Sequence, residues 1–174
     1  MTQLTLEIKR LSPDAKLPTK AHADDSGFDI YAAEDVIIEP GETAVVKTGI
    51  AVKLPPGHDA YIKPRSGVST KTKLRVVSPP IDAGYRGELG VIVDNTATSS
   101  LHADPKNDTP YVTLINGDSL LTKTWRKEKS YLIRKGDRLA QLVVTPVALP
   151  QVVEVGELDE TERGDGGFGA SGVR

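Results

Sequence analysis

Short runs of β-branched and apolar residues recur along this chain at near-regular spacing, and each is cut off by Gly, Pro or Asp. Thr5 to Lys9 alternates as a strand does, with Leu6 and Ile8 on one face and Glu7 and Lys9 on the other. Val36-Ile37-Ile38 runs into the turn signature Glu39-Pro40-Gly41-Glu42. Further runs are Thr43 to Leu54, Ala60 to Ile62, Leu74 to Val77, Val91 to Val93 and Tyr111 to Ile115. Tyr131 to Ile133, Leu142 to Val144 and Val152 to Val155 complete the series. Twelve prolines and sixteen glycines punctuate the runs. No stretch of about ten residues keeps a helical period, and the best short helix is Ser66 to Lys73. Many short strands closed by turn residues predict an all-β sandwich or barrel.

A chain of 174 residues is sized for one domain. Its net charge of −2 sets up no field that would recruit nucleic acid or an anionic membrane. There is no cysteine, which removes disulfide and thiolate chemistry. The opening MTQLTLEIKR is unlike a secretory or transit leader, and no apolar run reaches the roughly 20 residues a spanning helix needs. The expectation is a cytoplasmic protein with neither a membrane nor a nucleic acid as partner. Two stretches depart from the strand pattern. Thr96 to Lys129 is a polar excursion that holds the only tryptophan, Trp125, and room for the strand Tyr111 to Ile115. The tail from Glu157 to Arg174 opens acidic and ends glycine-rich, with too little apolar surface to pack by itself. The expected division is a β domain over 1–156, carrying an insertion at about 97–129, and an arm over 157–174.

Five segments have residues suited to chemistry. Ile81-Asp82-Ala83-Gly84-Tyr85-Arg86-Gly87 places an acid, an aromatic and a cation on one tight turn, which suits a small polar pocket. It equally suits a hairpin whose Asp82 caps the backbone. Asp29 lies between Phe28 and Ile30, and a carboxylate in a buried pattern needs a partner or a cation. Pro64-Arg65-Ser66-Gly67-Val68-Ser69 would open the short helix. Its free N–H groups, the Arg65 cation and the Ser66 hydroxyl fit an anion, with Gly67 permitting close approach, or Ser66 simply caps the helix. Gln141, among Leu139, Ala140 and Leu142, faces either a ligand or a neighbouring backbone. Last, Arg163 and Ser171 flank a glycine-rich run around Phe168. A lone Phe in such a tail fits stacking on a flat ring, worth about 1–3 kcal/mol per base.

Other chemistries are excluded by what is missing. There is no HExxH and no GxxxxGK[ST], and the three histidines, His22, His58 and His102, are scattered with no elbow-type serine to serve.

In this order the five segments resemble the motifs of the trimeric dUTP pyrophosphatases (dUTPases). Ser26 to Ala33 resembles the first motif, Pro64 to Ser69 the second, and Ile81 to Gly87 on to Asn95 the third. Gly136 to Leu142 resembles the fourth and Arg163 to Gly172 the fifth. The resemblance implies a jelly-roll-like β-barrel, a homotrimer with active sites shared between chains, and a flexible C-terminal arm. It implies hydrolysis of dUTP to dUMP and pyrophosphate, with Mg²⁺ on the triphosphate. By similarity, Asp82 activates the attacking water at the α-phosphorus and Tyr85 packs on the deoxyribose to exclude a 2′-hydroxyl. The hairpin that ends near Asn95 reads uracil. Arg65, Ser66, Gly67 and Gln141 match positions near the phosphates, and Asp29 matches an acid tied to the metal's water shell. Arg163, Phe168, Gly169 and Ser171 match the closing arm, with Phe168 on the base. The chain departs from many members in having Ala170-Ser171 where they have Ser-Thr. Its long insertion resembles phage dUTPases, some of which bind repressor proteins. Two alternatives follow from the resemblance: a dCTP deaminase-like enzyme of the same fold, and a regulatory protein that binds a transcriptional repressor through 97–129.

Overall fold

The computed structural model describes residues 4–98 and 108–166. The strands, in chain order, are β1 (Glu7–Arg10), β2 (Phe28–Tyr31), β3 (Val36–Ile38), β4 (Thr43–Lys53) and β5 (His58–Pro64). The single helix among the described residues, α1 (Ser66–Lys71), follows. Then come β6 (Leu74–Val77), β7 (Pro80–Ile81), β8 (Glu88–Asn95), β9 (Asp108–Leu114), β10 (Ser119–Lys127), β11 (Tyr131–Ile133) and β12 (Arg138–Pro146).

These strands form three four-stranded sheets, ordered β1-β4-β8-β6, β10-β9-β11-β3 and β2-β12-β5-β7. All three close on one core that includes Ile30, Ile38, Val46, Ile50, Val91, Ile133 and Leu142. The fold is thus the expected all-β, jelly-roll-like barrel. The central strand β8 shows how the sequence builds it. Its residues alternate between half-buried and buried, so Leu89, Val91 and Val93 point inward while Asp94 faces out to take a 2.7 Å bond from Thr43 Oγ1.

The excursion is more ordered than its polarity suggests. β9 and β10 form a hairpin, and β9 adds to the barrel by pairing in parallel with β11, Tyr131 opposite Thr113. Lys127 Nζ also bonds Glu39 at 2.7 Å, tying the hairpin to the residue after β3, and that carboxylate raises the Lys127 pKa above the ordinary lysine value. Two local expectations are corrected. Helix α1 stops at Lys71 because Thr72 turns its hydroxyl back onto Val68 O at 2.7 Å while its backbone becomes extended. Val152 to Val155 forms no strand: these residues have no ladder partner among the described residues, and Val152 is 94% exposed.

Candidate active site

The turn 82–85 is held by its own backbone. Tyr85 N–H donates to Asp82 O at 3.0 Å, and Arg86 Nη1 donates to Ala83 O and Tyr85 O, both at 2.7 Å. Before the turn, β7 pairs with β5, Ile81 opposite Ala60, and as an edge strand it accommodates Pro80. After it, the Tyr85 hydroxyl reaches over to donate to Glu88 O at 2.9 Å. Asp82 and Tyr85 therefore line one cavity of about 200 Å³, floored by Ile62 and Leu89 and edged by Pro80, Ile81, Glu88 and Gly90. The cavity has an apolar floor, a carboxylate at its rim and exposed strand backbone beside it. That combination suits a flat, polar-edged ring with a sugar.

A second cleft, about 310 Å³, is lined by Arg65, Gly67, Lys71, Arg134 and Arg138, with Leu114, Ile115 and Asn116 of the β9–β10 turn along another wall. Its cations are organised from below. Asp29 is 4% exposed, and its Oδ1 accepts from Arg65 Nε at 3.0 Å. Arg138 Nη1 and Gln141 Nε2 approach the same carboxylate at 3.5 Å, and Arg65 Nη1 donates to Arg138 O at 3.0 Å. Strand pairing delivers these residues, since Gln141 of β12 stands opposite Asp29 of β2 and Lys63 of β5. A buried carboxylate needs such partners. With four cations around it, the cleft suits a polyanion.

The structure brings Asp82 with Tyr85, and Asp29 with Arg65 and Gln141. Ser66 is the first residue of α1 rather than its cap: Arg65 occupies the N-cap and no side chain caps the helix. Beyond its chain neighbours and the helix's own backbone, no atom of the described residues lies within 4 Å of where a Gly67 Cβ would be, which leaves this face open to an outside group. Arg163 lies in the described part of the tail, where its Nε bonds Gly166 O at 3.0 Å. Phe168, Gly169 and Ser171 lie outside the described residues.

Two side chains are turned inward. That of Asn95 faces the barrel, which leaves its backbone for any part in reading a base. Asn95 is 1% exposed, its Nδ2 donates to Ile38 O and Lys129 O at 3.0 Å, and its Oδ1 accepts from Ala97 N at 3.1 Å. With both donors and an acceptor committed, its amide stitches β8 to β3 and to the base of the hairpin. The alternation of β8 already put it on the inward face. The Asp29 carboxylate is also turned inward, with both oxygens facing Arg65, Arg138 and Gln141. Sequence reasoning also missed Arg138 as a member of the cluster. Its spacing from Gln141 hid it: three residues apart on a regular strand they would face opposite ways, and only the register shift between Arg138 and Ala140 turns both toward Asp29.

A family model for dUTPase matches residues 13–105 and 124–172. The chain belongs to the dUTPase family. Deoxyuridine 5′-triphosphate nucleotidohydrolase of Clostridium tetani is 39% identical to it, covering 99% of each chain. The enzyme of that name from Mycolicibacterium gilvum is 42% identical, over 97% of this chain and 95% of the relative. Among solved structures, the dUTPase of Staphylococcus bacteriophage 80alpha with dUpNHpp superposes with a TM-score of 0.86 at 42% identity, over 97% of this chain and 99% of that one. The dUTPase of phage phi11 of S. aureus, described for its species-specific insert, gives 0.83 at 41% identity, over 90% of this chain and 99% of that one. The family model passes over 106–123, which narrows the insertion from the expected 97–129 to β9, the turn and the first part of β10.

Proposed function

We infer that this protein hydrolyses dUTP to dUMP and pyrophosphate, which lowers dUTP and supplies dUMP. The observation that carries the reading is the cavity shared by Asp82 and Tyr85 on a self-bonded turn, in a chain of the dUTPase family. Asp82 takes a proton from a water whose oxygen bonds to the α-phosphorus. The bond from that phosphorus to the bridging oxygen breaks, and pyrophosphate leaves. A positioned base of this kind contributes typically 10²–10⁴-fold. Tyr85 walls the sugar, so that a 2′-hydroxyl meets its ring. Arg65, with Ser66 and Gly67 beside it and Gln141 behind, holds the phosphates, and Asp29 fixes the direction of Arg65. Arg163, Phe168, Gly169 and Ser171 form the arm that closes over nucleotide and excludes bulk water.

Mg²⁺ is the cofactor, and it supplies neutralisation of the triphosphate charge. A structural Mg(II) ion is described for the phi11 dUTPase. The donor set here fits an ion carried on substrate phosphates: no group of three metal-ligating side chains occurs among the described residues, and Asp29 is already paired. Mg²⁺ ordinarily keeps its waters and leans on phosphate oxygens. Arg65, Arg138 and Gln141 would therefore hold it through the phosphates they grip.

The active assembly is a homotrimer in this reading. The nucleoside cavity and the cationic cleft share no lining residue within one chain, and Leu149, Val152, Val153 and Leu158 are exposed on an unpaired segment that a neighbouring chain would cover. A cytoplasmic location in the bacterial host cell belongs to this reading as well. Pyrophosphate release from dUTP, UTP, dTTP and dCTP tests the function. Turnover of dUTP alone is expected, and ammonia release from dCTP would instead identify a deaminase.

A second reading concerns the insertion. The hairpin exposes Trp125 at 67%, Leu121 at 65% and Tyr111 at 51%, an apolar surface suited to a protein partner. The 80alpha dUTPase is described as controlling transfer of virulence genes. A transcriptional repressor is the partner we propose for this surface. Replacing Tyr111, Leu121 and Trp125 together by serine leaves the cleft wall at 114–116 in place and should keep dUTP turnover within a few-fold. It should also abolish co-elution with the repressor, and co-elution that persists in this variant would sink this role.

A further inference from the structure

Gly87 lacks a side chain for the sake of Tyr85. A Cβ at position 87 would lie 2.6 Å from Tyr85 Cζ and 2.9 Å from Cε2, and closer still to the hydroxyl oxygen. Nothing else within 4 Å is so close: the three nearest atoms all belong to that one ring. Backbone conformation does not explain the glycine, because Gly87 is absent from the residues with left-handed φ, unlike Gly41, Gly49, Gly57 and Gly136. It is also exposed, so no buried neighbour demands the space. The Tyr85 ring therefore folds back across the Gly87 backbone, and this lets its hydroxyl donate to Glu88 O at 2.9 Å while its face lines the nucleoside cavity.

We propose that Gly87 is a positioning residue for sugar selection, acting through Tyr85. A methyl at 87 swings the ring off the hairpin, breaks the bond to Glu88 and opens the wall against which a 2′-hydroxyl is rejected. The side chain that must give way is flexible and half-exposed, so the barrel stays folded and the change is confined to the cavity. The inference rests on the reading of Tyr85 as the sugar wall.

The test compares the full-length chain with Gly87→Ala, Tyr85→Ala and the double variant, measuring kcat/KM for dUTP and for UTP. Gly87→Ala should cut the preference for dUTP about tenfold or more, the size of effect that a lost shape contact has on discrimination. In the Tyr85→Ala background it should change the preference less than about twofold, because the clashing ring is gone. Tyr85→Phe should not rescue Gly87→Ala, since Cζ and Cε2 remain in the way. Unaltered preference in Gly87→Ala, or an equal loss in the Tyr85→Ala background, overturns the proposal. If Tyr85→Ala itself leaves the preference intact, the sugar-wall reading fails and the selection claim falls with it. The packing claim is then decided by the Tyr85 aromatic resonances in Gly87→Ala, assigned by their loss in Tyr85→Phe. Resonances that do not shift refute it.

Discussion

The two halves of the site are built in opposite ways. The nucleoside cavity comes mostly from one contiguous stretch, residues 80–90, whose turn is closed by bonds that span only a few positions. The cationic cleft is gathered from β2, the β5–α1 junction and β12, which are more than a hundred residues apart at the extremes and meet on one buried carboxylate. A contiguous turn carries its geometry with it. A gathered cluster depends on its hub, so a change at Asp29 should disturb several residues at once, whereas a change on the turn should act alone.

The sharpest way to separate the halves is Asp82→Asn. We expect kcat to fall by about 10²–10⁴-fold, with dUTP affinity and melting temperature close to wild type. A near wild-type rate in pyrophosphate release would remove Asp82 as the base. Asp29→Ala should behave differently, because it strands Arg65 and frees Arg138 and Gln141 together. Loss of about 2–3 kcal/mol is expected, seen as a melting temperature lower by roughly 5–10 °C, together with a raised KM for dUTP. Calorimetry that shows no destabilisation would mean the cluster has no hub.

Asn95→Ala is the next step down. Three bonds are lost and backbone carbonyls at Ile38 and Lys129 are left unpaired, for about 1–3 kcal/mol. Base selection should stay as it was; a variant that begins to hydrolyse dCTP or dTTP would put the Asn95 side chain at the uracil site. Smallest of all, Trp125→Ala on the exposed hairpin should shift stability within about 0.5 kcal/mol and leave kcat/KM unchanged, since the ring touches neither half.

What the sequence allowed follows the same division. Strands such as β3, β6 and β11 were legible because β-branched runs end in turn residues, and the 81–87 turn was legible because its parts are adjacent. The hub was not, for Asp29 declares only that it needs a partner, and which partner depends on how β2, β12 and β5 lie side by side. The inward side chain of Asn95 was legible in its parity along β8. The β10 strand was hidden by its own chemistry: an edge strand exposed on both faces lacks the apolar alternation that marks a half-buried strand. Val152 to Val155 failed in the opposite sense, having strand-like residues but no ladder partner among the described residues.

The parallel seam between β9 and β11 has an evolutionary consequence. A hairpin that docks on a free edge interrupts no existing ladder, so it is added to the barrel as a graft rather than spliced into it. The strand exposed at that end of the sheet is then β10, which the family model only partly includes, and its irregular register between Leu121 and Arg126 and its basic residues discourage indiscriminate strand addition there. Selection can thus rewrite the outer strand of the graft freely, while Leu114, Ile115 and Asn116 at its inner turn stay tied to the cationic cleft they line.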